Sequence, residues 1–222
     1  MKLKALTLLI TSSFACMVTA ADMNVNQEVK AAKDPHIANL SLVQQLADVG
    51  LEQKDPLILM TAAKIYAMTP TKDMKRTKES EGGVDSKKTT DMTVDFDSLL
   101  DYAKEYSGDN ESYLAMISEI ESVKTRGRTS GPAISTDRIE AGATDTYYIR
   151  YRGDRLAELM IIGDGDTDLD VYVYDERGNS ICKDDDYSDQ MYCSWVPAWT
   201  GEFEVKIKNR GNVYNVYDIL TN

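Results

Sequence analysis

The chain has 222 residues, 37 of them acidic against 25 basic, a formal net charge of −12 and a single histidine. That balance argues against nucleic acid and anionic membrane surfaces as partners and suits cations or basic protein surfaces. With only His36, beside Pro35 at a helix entry, Ser–His–Asp and Cys–His catalysis lack a well-placed base, and no zinc cluster, phosphate loop or nucleophile elbow is found.

Met1–Ala20 reads as a secretory signal, with Lys2 and Lys4 ahead of an apolar run led by Ala5–Ile10 and a small-residue site at Val18-Thr19-Ala20. Cleavage next to Ala20 and Ala21 would remove two lysines and no acids, leaving 23 bases against 37 acids, or −14. The run is too short to span a bilayer, and Cys16 sits in a poor lipobox, so a periplasmic or secreted protein without a membrane span is expected.

A polar leader over 21–35 precedes a helical domain over 36–126. Ile37, Leu40, Val43, Ala47 and Gly50 share one helix face. Asp55-Pro56 is a cap with proline at the first helical position, and it opens Leu57–Met68, apolar almost all round and so expected to be buried. The stretch 69–93, with Pro70 and paired glycines, reads as a mobile loop. Phe96, Leu99, Leu100, Ala103 and Tyr106 mark a third helix ended by Gly108. Asp109 is placed as the cap of a fourth, with Tyr113, Met116, Ile117, Ile120 and Val123 inward. The four helices make two αα-hairpins, with Met60, Met68, Met92 and Met116 as core filler.

A Gly-, Ser- and Thr-rich linker at 127–135 leads to an antiparallel β-sandwich over 136–222, so the fold class is α+β in two parts. Strand patterns occur at Asp145–Arg152, Ala157–Ile162, Asp168–Tyr174, Ser180–Asp184, Glu202–Lys208 and Tyr214–Leu220. Strict alternation, as in Phe203, Val205 and Ile207 against Glu202, Glu204, Lys206 and Lys208, belongs to sheets with one solvated face. Arg152-Gly153-Asp154 is read as a turn and not as an integrin ligand.

The sandwich carries the candidate sites. Asp164, Asp166 and Asp168 alternate beside two glycines, and a hairpin about Arg177–Gly178 would bring Asp168 and Asp170 near Asp184, Asp185 and Asp186. Like charges across a strand pair repel. Solvated loops or a hard cation, calcium being the candidate, would relieve them, and both readings stand open. Cys182 and Cys193, in an exported chain, read as a structural disulfide. Trp195, Trp199, Tyr172 and Tyr174 are candidate ligand-binding aromatics, with one tryptophan expected in the core.

The order Asp-x-Asp-Leu-Asp-Val-Tyr-Val (166–173), acidic loop, Cys182, Cys193, then Pro197-x-x-x-Gly201-x-Phe203-x-Val205-x-Ile207 resembles the bacterial pre-peptidase C-terminal domain, over about 135–222. The resemblance implies a jelly-roll-like, non-catalytic module, some relatives of which bind collagen or polysaccharide and some calcium. The resulting reading is an exported, non-enzymatic protein that binds a protein, peptide or glycan. The alternatives are a carboxylate- or metal-dependent hydrolase at the acidic cluster, and an accessory, inhibitor or chaperone of a separately encoded peptidase.

Overall fold

In a computed structural model, which describes residues 23–27, 33–87, 94–122 and 131–222, four helices lie against a sandwich of two five-stranded sheets. The signal segment with Ala20 and Ala21, and the positions Met92 and Val123, fall outside the described residues.

Helices α1 (Pro35–Gln53), α2 (Pro56–Met68), α3 (Phe96–Ser107) and α4 (Glu111–Glu121) form where the apolar spacing places them. Asp34, Asp55 and Asp95 each accept first-turn N–H groups as N-caps. Asn110, not Asp109, caps α4, since its Oδ1 is the oxygen that reaches the N–H groups of Ser112 and Tyr113. Helix α2 is less enclosed than its composition suggests: Leu59, Met60, Ala62 and Ala63 are buried, whereas Leu57 and Met68 are exposed. Met116 likewise faces outward, and the inner face of α4 is Ile117 and Ile120.

One sheet runs β1 (Lys72–Asp73), β3 (Ala133–Ile139), β10 (Asn215–Thr221), β5 (Ala157–Ile162), β8 (Gln190–Trp195). The other runs β2 (Glu79–Glu81), β4 (Thr144–Tyr151), β9 (Gly201–Asn209), β6 (Leu169–Tyr174), β7 (Ser180–Asp184). All the pairings are antiparallel except β1 with β3. Alternate residues of both sheets meet in one core that includes Tyr147, Leu159, Ile161, Val171, Val173, Phe203, Val205, Ile207, Tyr217 and Ile219.

The first sheet is covered on its outer face as well. Ile37 and Leu40 of α1 pack on Met160 and Leu220, with Ile134, Ile162 and Tyr192 around them. Burial on both faces explains why β5 reads as a continuous apolar run and why β10 shows no clean alternation. Helical layer and sandwich therefore share a packed interface.

Residues 69–87 correct the mobile-loop expectation. Their backbone adds β1 to the edge of the first sheet and β2 to the edge of the second, so the segment crosses the opening between them. The strands are too short and too polar to leave a periodic signal, because pairing geometry and not apolar burial holds them. Strand formation also begins at Ala133, inside the stretch read as linker.

At the opposite edge, β7 of one sheet and β8 of the other are joined by the Cys182–Cys193 disulfide, as expected for this cysteine pair. Both open edges of the sandwich are thus bridged, one covalently and one by the 72–81 crossing. Paired or covered edges remove the unpaired strand groups that promote sheet-to-sheet association.

Candidate functional site

The acidic rim lies where β6, β7 and the loops beside them end. Asp170 is buried, and its Oδ2 accepts the Arg210 Nε–H at 2.5 Å and the Tyr172 hydroxyl at 2.9 Å, while Arg210 Nη2 donates to the Tyr172 oxygen at 3.1 Å. Asp184 is not on the solvated rim: it reaches across to accept the N–H of Tyr192 on the other sheet at 2.9 Å. Lys183 pairs with Asp185, and the Ser188 hydroxyl donates to Asp186. Asp164 is buried and accepts the N–H of Val216 at 2.8 Å, whereas Asp166 is exposed.

Asp168 is raised above its usual carboxylate range by burial, then by Asp170, with Arg210 opposing. Its Oδ1 is buried with no hydrogen-bond partner among the described residues. Within those residues, no group of three or more His, Cys, Asp or Glu side chains is arranged to hold a metal ion. The expected clustering is therefore partial: Arg210, Lys183, hydroxyls and backbone N–H groups answer most of these carboxylates individually. Arg210 lies forty residues from Asp170 in the chain, so no local pattern announces it.

The aromatic candidates divide. Trp195 is 6 % exposed and packs against Tyr151 and Phe203, with ring centroids 4.9 and 5.2 Å away, so it belongs to the core. Trp199 stays at the surface under the Arg177 guanidinium, its indole N–H donating to Glu176 at 2.6 Å. Tyr172 serves the Arg210 network, and Tyr174 lies beneath Lys206 on the outer face of β6.

Two further carboxylate groupings were not visible in the sequence. Inside the sandwich, Asp145 is 1 % exposed and accepts Lys78 Nζ at 2.8 Å, the Tyr217 hydroxyl at 2.7 Å and the Ser80 hydroxyl at 2.5 Å. Lys78 also pairs with Asp137 at 2.6 Å, and the hydroxyls of Tyr147 and Tyr217 lie 2.6 Å apart. Burial, reinforced by these neighbours, pushes both tyrosines well above their ordinary range, so they act as neutral donors. Lys78 comes from the 72–81 crossing and is the pin that fastens it.

The second grouping lines a cleft of about 780 Å³ between the helical layer and the outer face of the first sheet. Gln44 of α1, Tyr66 of α2, the 71–76 segment and Val94–Asp95 form one side, and β3, β10 and the end of β5 form the other. Five aspartates line it (Asp73, Asp95, Asp137, Asp164, Asp218) against Lys75 and Arg76. Asp218 accepts the Thr136 hydroxyl at 2.5 Å, and burial, with Asp95 nearby, raises it above the usual carboxylate range. Among the described residues, no Lys or Arg pairs with it. The Ser135 hydroxyl and Arg76 Nε, both in the cleft, are buried without a hydrogen-bond partner among the described residues.

No family model and no curated protein matches the chain. Among solved structures, it is similar to the pre-peptidase C-terminal domain of a Bacillus anthracis collagenase at 9 % identity and a TM-score of 0.34, covering 44 % of this chain and 100 % of that one. It is also similar to PliG, a periplasmic inhibitor of g-type lysozyme from Aeromonas hydrophila, at 12 % identity and a TM-score of 0.31, covering 41 % of this chain and 86 % of that one. Among the described residues, no helix is long and apolar enough to cross a membrane.

Proposed function

We propose that this is an exported, non-catalytic binding protein whose ligand site is the cleft between the helical layer and the sandwich, and that the ligand presents a cationic group from a protein or peptide. The observation that carries the reading is Asp218, a half-buried carboxylate on the cleft wall that accepts the Thr136 hydroxyl, with a second carboxylate, Asp95, near it and, among the described residues, no cation paired to it. Even partial burial of an uncompensated charge is unfavourable, so folding alone does not favour an acid there. A lysine, arginine or amino-terminal group entering the cleft supplies the missing charge. Export is supported by the disulfide, which suits an oxidising compartment.

The test is a titration of isotope-labelled mature protein with tetra-arginine amide and with tetraglycine amide, followed by amide shifts. Saturable changes at Ser135, Thr136 and Asp218, present for the basic peptide and lost in Asp218→Asn, are expected. Shifts confined to the acidic rim, or unchanged in Asp218→Asn, contradict the reading.

A further inference from the structure

The leader segment is docked at its described part. Asn24 has no exposed surface, although it belongs to the stretch whose composition reads as a polar leader. Its backbone N–H donates to Asp175 Oδ2 at 3.0 Å, its side-chain Nδ2 donates to Glu176 Oε2 at 3.3 Å, and its Oδ1 accepts the Trp199 N–H at 3.0 Å. Both ends of the carboxamide are therefore read, which an aspartate at this position would not satisfy. Two residues on, Asn26 donates its N–H to the Val196 carbonyl at 2.7 Å and its Nδ2 to Asp154 at 2.8 Å.

The groups that read Asn24 are held by the sandwich itself. Asp175 accepts the N–H groups of Arg177 and Asn179 and the Asn179 side chain, at 2.8–2.9 Å. Burial disfavours its charge, but these hydrogen bonds, together with the one from the Asn24 N–H, outweigh burial and hold Asp175 below the ordinary carboxylate range. Glu176 is oriented by the Trp199 indole. Gly201 leaves the required space: a Cβ there would lie 2.8 Å from Asn24 Nδ2. A rigid receptor with the room shaped for one side chain is the arrangement of a ligand site, since groups fixed in advance lose little freedom on binding.

We propose that this end of the sandwich is a recognition site for an Asn-x-Asn peptide segment turned at its first asparagine, where the Val25 N–H donates to the Met23 carbonyl at 2.8 Å, and that the chain's own residues 24–26 occupy it in cis. A segment of the same pattern on another polypeptide binds there by displacing them. Tethering sets the threshold, because an intramolecular segment acts at an effective concentration of about millimolar.

The experiment vacates the site in the full mature chain with Asn24→Ala and Asn26→Ala together. Acetyl-Met-Asn-Val-Asn-Gln-amide is then titrated to several millimolar against labelled protein, following the amides of Asp175, Glu176 and Trp199. The vacated protein is expected to bind at least about tenfold more tightly than the wild type, whose site is filled, and to ignore the same peptide with aspartate at its first asparagine. Gly201→Val in the vacated background, with an unchanged circular dichroism spectrum, is expected to abolish binding. Equal binding by vacated and wild-type proteins, equal binding of the Asn and Asp peptides, or no binding to a vacated protein that keeps its native spectrum would each overturn the proposal.

Discussion

Tyr217 and Asp218 are adjacent on β10 and point into two environments of opposite design. Inward, Tyr217 joins a network in which the Asp145 and Asp137 charges are met by Lys78 and by hydroxyl donors. Outward, Asp218 faces the cleft with Thr136 and Asp95 and, among the described residues, no paired cation. A closed network of this kind holds a structure together, whereas a carboxylate left without its counter-charge is what the proposed ligand would meet. The same residue type therefore has a structural role on one face of the strand and a proposed binding role on the other.

The largest effect is expected from opening the closed side. Lys78→Met leaves Asp145 buried and uncompensated, and removal of one partner of a buried pair costs about 3–5 kcal/mol. Urea unfolding of the variant is expected to show a loss of that size; a loss below about 1 kcal/mol would mean the pair behaves as a surface pair. The disulfide at the far edge comes next. Cys182→Ser with Cys193→Ser is expected to cost about 3 kcal/mol in the chain-entropy account, read in the same assay.

The acidic rim is expected to matter least. Arg210→Ala removes a half-exposed cation from the buried Asp170, which keeps the Tyr172 hydroxyl, and should cost about 1–3 kcal/mol. Because protein groups already answer most of these carboxylates, millimolar calcium followed by chelator is expected to leave the melting temperature unchanged; a clear upward shift with calcium would show an ion bound to the native state.

The aspartates of the rim were the loudest signal in the sequence, and they turned out to be largely answered one at a time. What was legible followed from local rules: the helices from apolar spacing and caps, the β6–β7 hairpin from the turn at Gly178, and the disulfide from the cysteine count. Strand β8 was not among the strands read from the sequence, although its Met191, Cys193 and Trp195 alternate. The cleft and the Lys78 network were not legible, because each joins elements more than sixty residues apart through single side chains. Nothing in the residues around Lys78 distinguishes it from the solvated lysines nearby. Asn24 shows the same limit, since its partners lie about 150 residues along the chain.

The direct measurement is the pH-dependent thermal stability of Asp218→Asn beside the wild type. A carboxyl group raised in the folded state binds its proton more readily there than in the unfolded chain. Its cost to stability is full above the folded pKa and is relieved as pH falls towards the unfolded value of about 3.9. Asparagine keeps an acceptor for Thr136 and carries no charge. The account predicts that Asp218→Asn melts higher than the wild type at pH 7, that the gap closes on acidification, and that the variant no longer binds the basic peptide. A variant that melts lower at pH 7 while binding the peptide as before would contradict it, and would make Asp218 a structural residue like Asp145.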